Sequence, residues 1–194
     1  AECVAADLAR RRVEAETPTA RDEPTADALD IVMIEGCAGC GQVSAAARDL
    51  GVKILKGIEG EPAARLLWRL RFGGGVGLDD DVLDPNVWTA LPSDVKRSVT
   101  AVFGGWPCPA YSRANPDAKG GGDVRAWLLY QVMGIVLADD DYNYQKRGNL
   151  LTLSGENVVE KEEWCGGEMI HREAALAAEY GYIRSSVRVL GTML

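Results

Sequence analysis

The sequence has no apolar run approaching the roughly 20 residues that a membrane span requires, so no transmembrane helix is expected. A secretory signal is missing as well: residues 1–16 are studded with Arg and Glu and hold no apolar core segment. There is no initiator Met. The chain starts at Ala1, which points to a processed or partial product. Positive charge is scarce: 21 Lys and Arg against 29 Asp and Glu leave a net charge of −8. A protein that gained its affinity mainly by neutralising phosphates would be basic. The balance therefore argues against a dedicated nucleic-acid-binding domain, although a local basic surface is compatible with it. The cysteines do not make an even set, being five (Cys3, Cys37, Cys40, Cys108, Cys165) in a chain of 194 residues. A chain of that length needs no disulfide staples, so reduced thiols in an intracellular compartment are expected. The single histidine, His171, and Cys165 lack the paired ligand spacing of a zinc site, and no metal is expected. No internal repeat is present.

With 47% hydrophobic and 26% charged residues, what remains is the balance of one globular domain. Residues 1–28 stand apart. A short charged helix over Leu8 to Glu16 is followed by a Pro-, Thr- and acid-rich stretch that reads as a solvated, flexible segment. From residue 29 to 194 strands and helices alternate. Ile31 to Ile34, Val52 to Ile58, Leu78 to Leu83, Val99 to Phe103, Leu150 to Ser154 and Ile183 to Leu190 read as strands. Gln42 to Leu50, Ala63 to Arg71, Val124 to Ala138 and Met169 to Tyr180 read as helices, the second with Leu66, Leu67 and Leu70 on one face. Gly104 to Gly122 reads as a long loop. Such alternation predicts an α/β fold, a mostly parallel open sheet covered by helices on both faces. Trp68, Trp88 and Trp127 are expected to pack in the core or between helices, and Trp106 to shield a loop. Asp139-Asp140-Asp141 is expected to be a solvated turn and His171 a surface or interface residue.

Ligands of these sheets bind at the carboxyl ends of the strands, and four strand ends carry unusual residues. The first is Glu35-Gly36-Cys37-Ala38-Gly39-Cys40-Gly41, where glycines allow a tight turn with helix N–H groups facing a ligand. The turn suits a nucleotide-like cofactor or a ligand-free turn equally. Cys37 and Cys40 can be read as a redox pair or half a zinc site, but small residues filling a turn account for them better. Glu59 ends the second strand, where a carboxylate can hold a ribose hydroxyl or stand in solvent. Asp81 and Val82 offer a carboxylate and an apolar wall to an adenine ring, or belong to an acidic turn with Asp79, Asp80 and Asp84. The fourth stretch is the most specific: Gly104-Gly105-Trp106-Pro107-Cys108-Pro109. A cysteine held between prolines at a sheet mouth is conformationally restrained and suited to act as a nucleophile. Glu156-Asn157-Val158 follows the next strand and brings an acid near that thiol.

Taken in order, these strand ends resemble the cytosine-5 DNA methyltransferase family over about Asp30 to Leu190. Cys37 to Gly41 is similar to the family's cofactor loop, with Cys37 in place of the usual Phe. Glu59 and Asp81 fall where the family's ribose- and adenine-binding acids lie. Gly105-Trp106-Pro107-Cys108 matches the Pro-Cys nucleophile loop, with Pro109 in place of the following Gln. Asp123-x-Arg125 with Leu128 is similar to the run opening the next helix, and Glu156-Asn157-Val158 matches the Glu-Asn-Val signature.

The resemblance implies a Rossmann-like S-adenosylmethionine-dependent methyltransferase fold with its C-terminal part missing. It implies that S-adenosylmethionine is held by Cys37, Ala38, Gly39, Gly41, Glu59, Asp81, Val82 and Pro107. A cytosine flipped out of duplex DNA would be methylated at C5. Cys108 would be the nucleophile that adds to C6, Glu156 the acid at N3, in a dry pocket that raises its pKa, and Asn157 a brace for the loop. Ser112 and Arg125 would hold the loop or the DNA backbone. The family continues with a Gln-x-Arg-x-Arg segment and a target-recognition domain. Neither is present, so the chain reads as a cofactor-and-nucleophile half, a fragment or one completed by a second chain. Two other readings remain: a non-catalytic relative that binds S-adenosylmethionine or a partner, and a cytosine-5 methyltransferase acting on RNA. The resemblance places the protein in the nucleus if eukaryotic and in the cytoplasm or nucleoid if bacterial.

Overall fold

The computed structural model of the chain describes residues 30–157 and 167–185. Val158, Cys165 and residues 186–190 of the expected last strand lie outside them. Residues 182–185 carry no strand. Five parallel strands form one sheet in the order β3-β2-β1-β4-β5: β1 Val32–Gly36, β2 Lys53–Ile58, β3 Gly77–Asp79, β4 Ala101–Gly105 and β5 Thr152–Glu156. The chain runs outward from β1 through β2 to β3, then crosses back to place β4 on the other side of β1. The order therefore reverses between β1 and β4, the place where such sheets open a crevice.

Helices cover both faces. On one lie α1 (Gln42–Asp49) and α2 (Pro62–Phe72), where Trp68, Phe72 and Ala38 pack with Ala45, Ile54 and Leu78. On the other lie α3 (Pro85–Thr89), α4 (Ser93–Ser98) and α5 (Leu128–Ala138). There Trp88, Val132, Val136 and Leu137 close on Ile34, Ile58 and Val102. The final described helix, α6 (Glu168–Glu179), joins this core through Ala177. Among the described residues no helix is long and apolar enough to cross a membrane.

Local chemistry explains the element ends. Pro62 opens α2 at a position whose N–H would be unpaired in any case, after Glu61 as the N-cap. Gly51, with φ +86°, ends α1 and donates its N–H to the Arg48 carbonyl at 2.9 Å. The short helices α3 and α4 fall where no element is expected from the sequence. Their signals were present, since Asp84 caps Asn86 N–H at 2.9 Å and Pro85 follows it. Asp84 was absorbed instead into an acidic turn.

Three expectations are corrected. Leu66, Leu67 and Leu70 do share a face of α2, but it points to solvent. The bulkier pair Trp68 and Phe72, one turn apart with ring centroids at 4.4 Å, takes the side against the sheet. Asp139 and Asp141 are not a solvated turn. Lys96 Nζ lies 2.7 Å from Asp139 and 3.7 Å from Asp141, and Arg97, Arg147 and Ser93 converge on Asp141. This buried network bolts the segment after α5 to α4, leaving only Asp140 exposed. Trp106 does not shield a loop from outside; it is 3% exposed and belongs to the main core.

Candidate active site at the strand ends

The turn after β1 is built on left-handed backbone, the buried carboxylate of Glu35 and the half-buried one of Glu59. Cys37, Gly39 and Gly41 have φ of 50°, 54° and 74°, a region that costs a side chain of order 1 kcal/mol or more. Gly41 is also spatially obligatory, because a Cβ there would lie 2.5 Å from the Phe72 ring and 2.7 Å from Trp68. At Gly39, by contrast, the space a side chain would enter is open. The turn is tied to β2 by Ala38 N–H donating to the Ile58 carbonyl at 3.0 Å.

Glu59, at the end of β2, accepts from Gly39 N–H at 2.6 Å with one oxygen and from Glu61 N–H at 2.7 Å with the other. The first contact ties the glycine turn to the β2 end. Glu35, which sequence reasoning gave no role, is buried on the same side and accepts from the Ser44 N–H and hydroxyl. It thereby holds the first turn of α1, whose N-cap Gly41 has no side chain to do so. Burial pushes the Glu35 carboxyl above the usual carboxylate range, against the pull of the Ser44 hydrogen bonds and the Arg71 charge. Burial and the neighbouring Glu59 charge push the Cys37 thiol up to about 12. A thiol so disfavoured as thiolate suits neither a redox pair nor a metal ligand. Cys37, Cys40 and Cys108 are all free thiols. Among the described residues no three metal-ligating side chains converge.

Asp81 and Val82 stand beyond β3. The Asp81 carboxylate accepts from Leu83 N–H at 2.8 Å and shapes the turn. Val82 gives its carbonyl to the Trp88 indole N–H at 2.9 Å, and its methyl group lies 3.5 Å from where a Gly36 Cβ would be. Glu59 N–H donates to the Asp79 carbonyl at 3.0 Å, so the β2 and β3 ends form one rim.

Across the switch point stands the segment after β4. A Cβ on Gly105 would lie 3.6 Å from the Cys37 carbonyl oxygen, so the first and fourth strand ends meet. Pro107 and Cys108 are half-buried. The Cys108 carbonyl accepts from Tyr111 N–H at 2.9 Å and Ser112 N–H at 3.0 Å, which folds the cysteine into a tight turn. Tyr111, fully buried, packs with Ala110, Ala126 and Met169 in a small second core. The stretch read as a long loop is thus a built structure. The Ser112 hydroxyl accepts from Ala114 N–H at 3.3 Å. Arg125 forms a two-pronged pair with Asp123, at 3.0 and 2.6 Å, which holds that carboxyl down at about 2.

On the adjacent strand the register pairs Gly105 with Glu156, so β4 and β5 deliver the Cys108 segment and Glu156-Asn157 to neighbouring ends. Glu156 itself is exposed and Asn157 half-buried. The dry pocket expected around the Glu156 carboxyl is therefore not formed by the described residues. Of the β5 residues only Leu153 is half-buried, and the rest of the strand, Glu156 included, is exposed.

No protein-family model and no curated protein matches the chain. Solved structures do. A crystal structure of a mutant Spodoptera frugiperda DNMT2 is similar with a TM-score of 0.51 at 18% identity, over 77% of this chain and 41% of that one. The S. pombe Dnmt2 methyltransferase aligns at 0.46 and 14% identity, over 75% of this chain and 39% of that one. The chain thus spans about two fifths of either protein. At such identity the first likeness bears on architecture alone: the chain shares with that structure a Rossmann-like α/β fold, here a parallel sheet in the order β3-β2-β1-β4-β5 with helices on both faces.

Proposed function

We propose that the chain is the cofactor-and-nucleophile part of a cytosine-5 methyltransferase acting on DNA. The observation that carries this reading is the register of β4 against β5. It brings a proline-flanked cysteine and a Glu-Asn pair to adjacent strand ends, beside a glycine turn held by Glu59.

The first rim fits S-adenosylmethionine. Gly39 leaves open space, Glu59 presents a carboxylate at the β2 end for a ribose diol, and Asp81 with Val82 flanks the adenine position. Cys37, Ala38 and Gly41 shape the turn, and Pro107, two residues beyond the β4 end that approaches Cys37, would close on the ligand. When bound, the cofactor supplies the methyl group that the substrate carbon accepts.

The chain's own residues do the rest. Cytosine C5 is a weak nucleophile. The Cys108 thiolate forms a bond to C6, which drives an electron pair toward C5, while Glu156 gives a proton to N3 and takes up the developing charge. After C5 has gained its methyl group, a water molecule takes the C5 proton, and the C5–H electron pair forms the C5–C6 double bond as the C6–S bond breaks and Cys108 leaves as thiolate. N3 then returns its proton to Glu156, which restores the acid. Asn157 braces the Glu156 segment. Ser112 holds the Cys108 turn, and Arg125, released from Asp123, reaches a backbone phosphate.

A protonated Glu156 needs shelter from water. Its exposure here favours completion of the pocket by a further segment or a second chain, which would also bring basic surface to offset the charge of −8.

The test is transfer of label from methyl-labelled S-adenosylmethionine to cytosine-containing duplex DNA, with an RNA arm and Cys108→Ser in parallel. Label in DNA that disappears in the variant is the expected result. Label in RNA alone would reassign the substrate. Cofactor binding without transfer to either would support a non-catalytic relative, and absence of cofactor binding would end the proposal.

A further inference from the structure

Three glycines lie side by side near the carboxyl ends of β1, β4 and β5. Gly36 of β1 pairs with Gly104 of β4, and Gly104 pairs with Gly155 of β5. The Trp106 indole lies along this row. Its Cη2 and Cζ3 sit over Gly36, Cζ2 and Cε2 over Gly104, and Nε1 and Cδ1 over Gly155. A Cβ on Gly36 would come within 3.0 Å of the ring, and Cβ atoms on Gly104 or Gly155 would come closer still. The ring therefore occupies a seat that only three consecutive glycines in register can provide.

The indole N–H is buried with no acceptor among the described residues. Among the described residues the seat is therefore one of shape and dispersion contact. From this anchor the chain has little freedom: Pro107 fixes its own φ, and Cys108 is only the second residue along. Under the other end of the ring, Gly155 immediately precedes Glu156.

We propose that Trp106 is a positioning residue, whose indole, seated on Gly36, Gly104 and Gly155, fixes Cys108 over the ends of β4 and β5. The inference rests on the roles proposed above for Cys108 and Glu156. The glycine row serves the reaction by leaving room for the anchor, and Trp106 acts on the chemistry through the cysteine it holds.

The experiment measures alkylation of each thiol by iodoacetamide, with mass spectrometry resolving Cys108 from Cys37 and Cys40, on the full chain. Trp106→Ala removes the anchor. Gly155→Ala displaces it without touching the Cys108 segment. Trp106→Phe keeps a ring and discards an N–H that has no partner among the described residues. Loss of the seat frees the Cys108 segment, so the Ala variants are expected to raise the Cys108 rate about tenfold. Trp106→Phe should return it most of the way to the parent value, while Cys37 and Cys40 stay near theirs. A Phe variant as reactive as Ala, a Gly155→Ala rate equal to the parent's, or a parallel rise at all three thiols would each overturn the proposal. Should Trp106→Ala fail to fold, the other two variants still decide. Alkylation requires neither cofactor nor nucleic acid, so failure of the methyl-transfer assay and failure of this one are separate events.

Discussion

The two sides of the switch point are built to different standards of closure. On the β1–β2–β3 side, Glu35 and Glu59 are both engaged with backbone N–H groups, and Gly41 is wedged against Trp68 and Phe72. On the β4–β5 side, Cys108 sits in a turn braced from behind by Tyr111, but Glu156 stands exposed at the outer strand. On the function proposed above, the first side would hold a small ligand through backbone and carboxylates and could be completed by one stretch of chain. The second would have to enclose a base and exclude water, which needs cover from elsewhere. The contrast suggests that binding and chemistry are separable in this chain.

Four measurements can break or sharpen that contrast. The largest effect is expected for Gly41→Ala, which meets both a positive φ and the Trp68–Phe72 pair. It should destabilise the fold by about 2–4 kcal/mol in urea titration, and a loss below that range would mean the turn yields easily. Glu59→Ala comes next. It should weaken S-adenosylmethionine binding by about 1.5–3 kcal/mol in calorimetry, the worth of a charged hydrogen bond. Unchanged affinity would place the ribose elsewhere. The third concerns pH. The Cys37 thiol titrates at 9.0 when unperturbed and at about 12 in the fold. Between those values the unfolded chain has lost a proton that the folded chain keeps, so this group makes stability fall as pH rises from 9.0 to about 12, with no effect below. Cys37→Ala should flatten that part of the curve, and an unchanged slope would assign it to other groups. Tyr142, raised by burial, acts in the same sense. The smallest effect is expected for Glu156→Gln, which should change stability by less than about 0.5 kcal/mol, as surface substitutions do. A large loss would reveal that the carboxyl is already enclosed.

Four of the described strands and most of the described helices were legible because apolar runs, Pro62 and Gly51 carry local signals, whereas β3 overlaps the expected Leu78 to Leu83 strand only at Leu78 and Asp79. The order of the site segments was legible too, since a cysteine between prolines and a Glu-Asn pair are visible as sequence. Other features depend on contacts between residues far apart in the chain. Nothing near Glu35 marks it as the holder of Ser44. The glycine row exists only once β1, β4 and β5 are in register. That Leu66, Leu67 and Leu70 share a face was legible, but its outward direction was not, because periodicity finds an apolar face without saying which of two competing faces is heavier. The exposure of Glu156 could not be read from residues whose pattern suits an enclosed acid equally well.

The crossover that creates the crevice also bears on how the molecule folds. Val32 N–H donates to the Thr100 hydroxyl across 68 residues of sequence, whereas β2 and β3 lie near β1 along the chain. Closing so long a loop is entropically costly, and pairings of this kind slow folding. During synthesis β1, β2 and β3 emerge and can associate first, with one flank of β1 waiting for β4. Until β4 arrives, a half-sheet with an unpaired inner edge is present, a surface prone to wrong strand partners. The site is then among the last parts of the molecule to exist, and its assembly rate is set by the slowest pairing in the sheet.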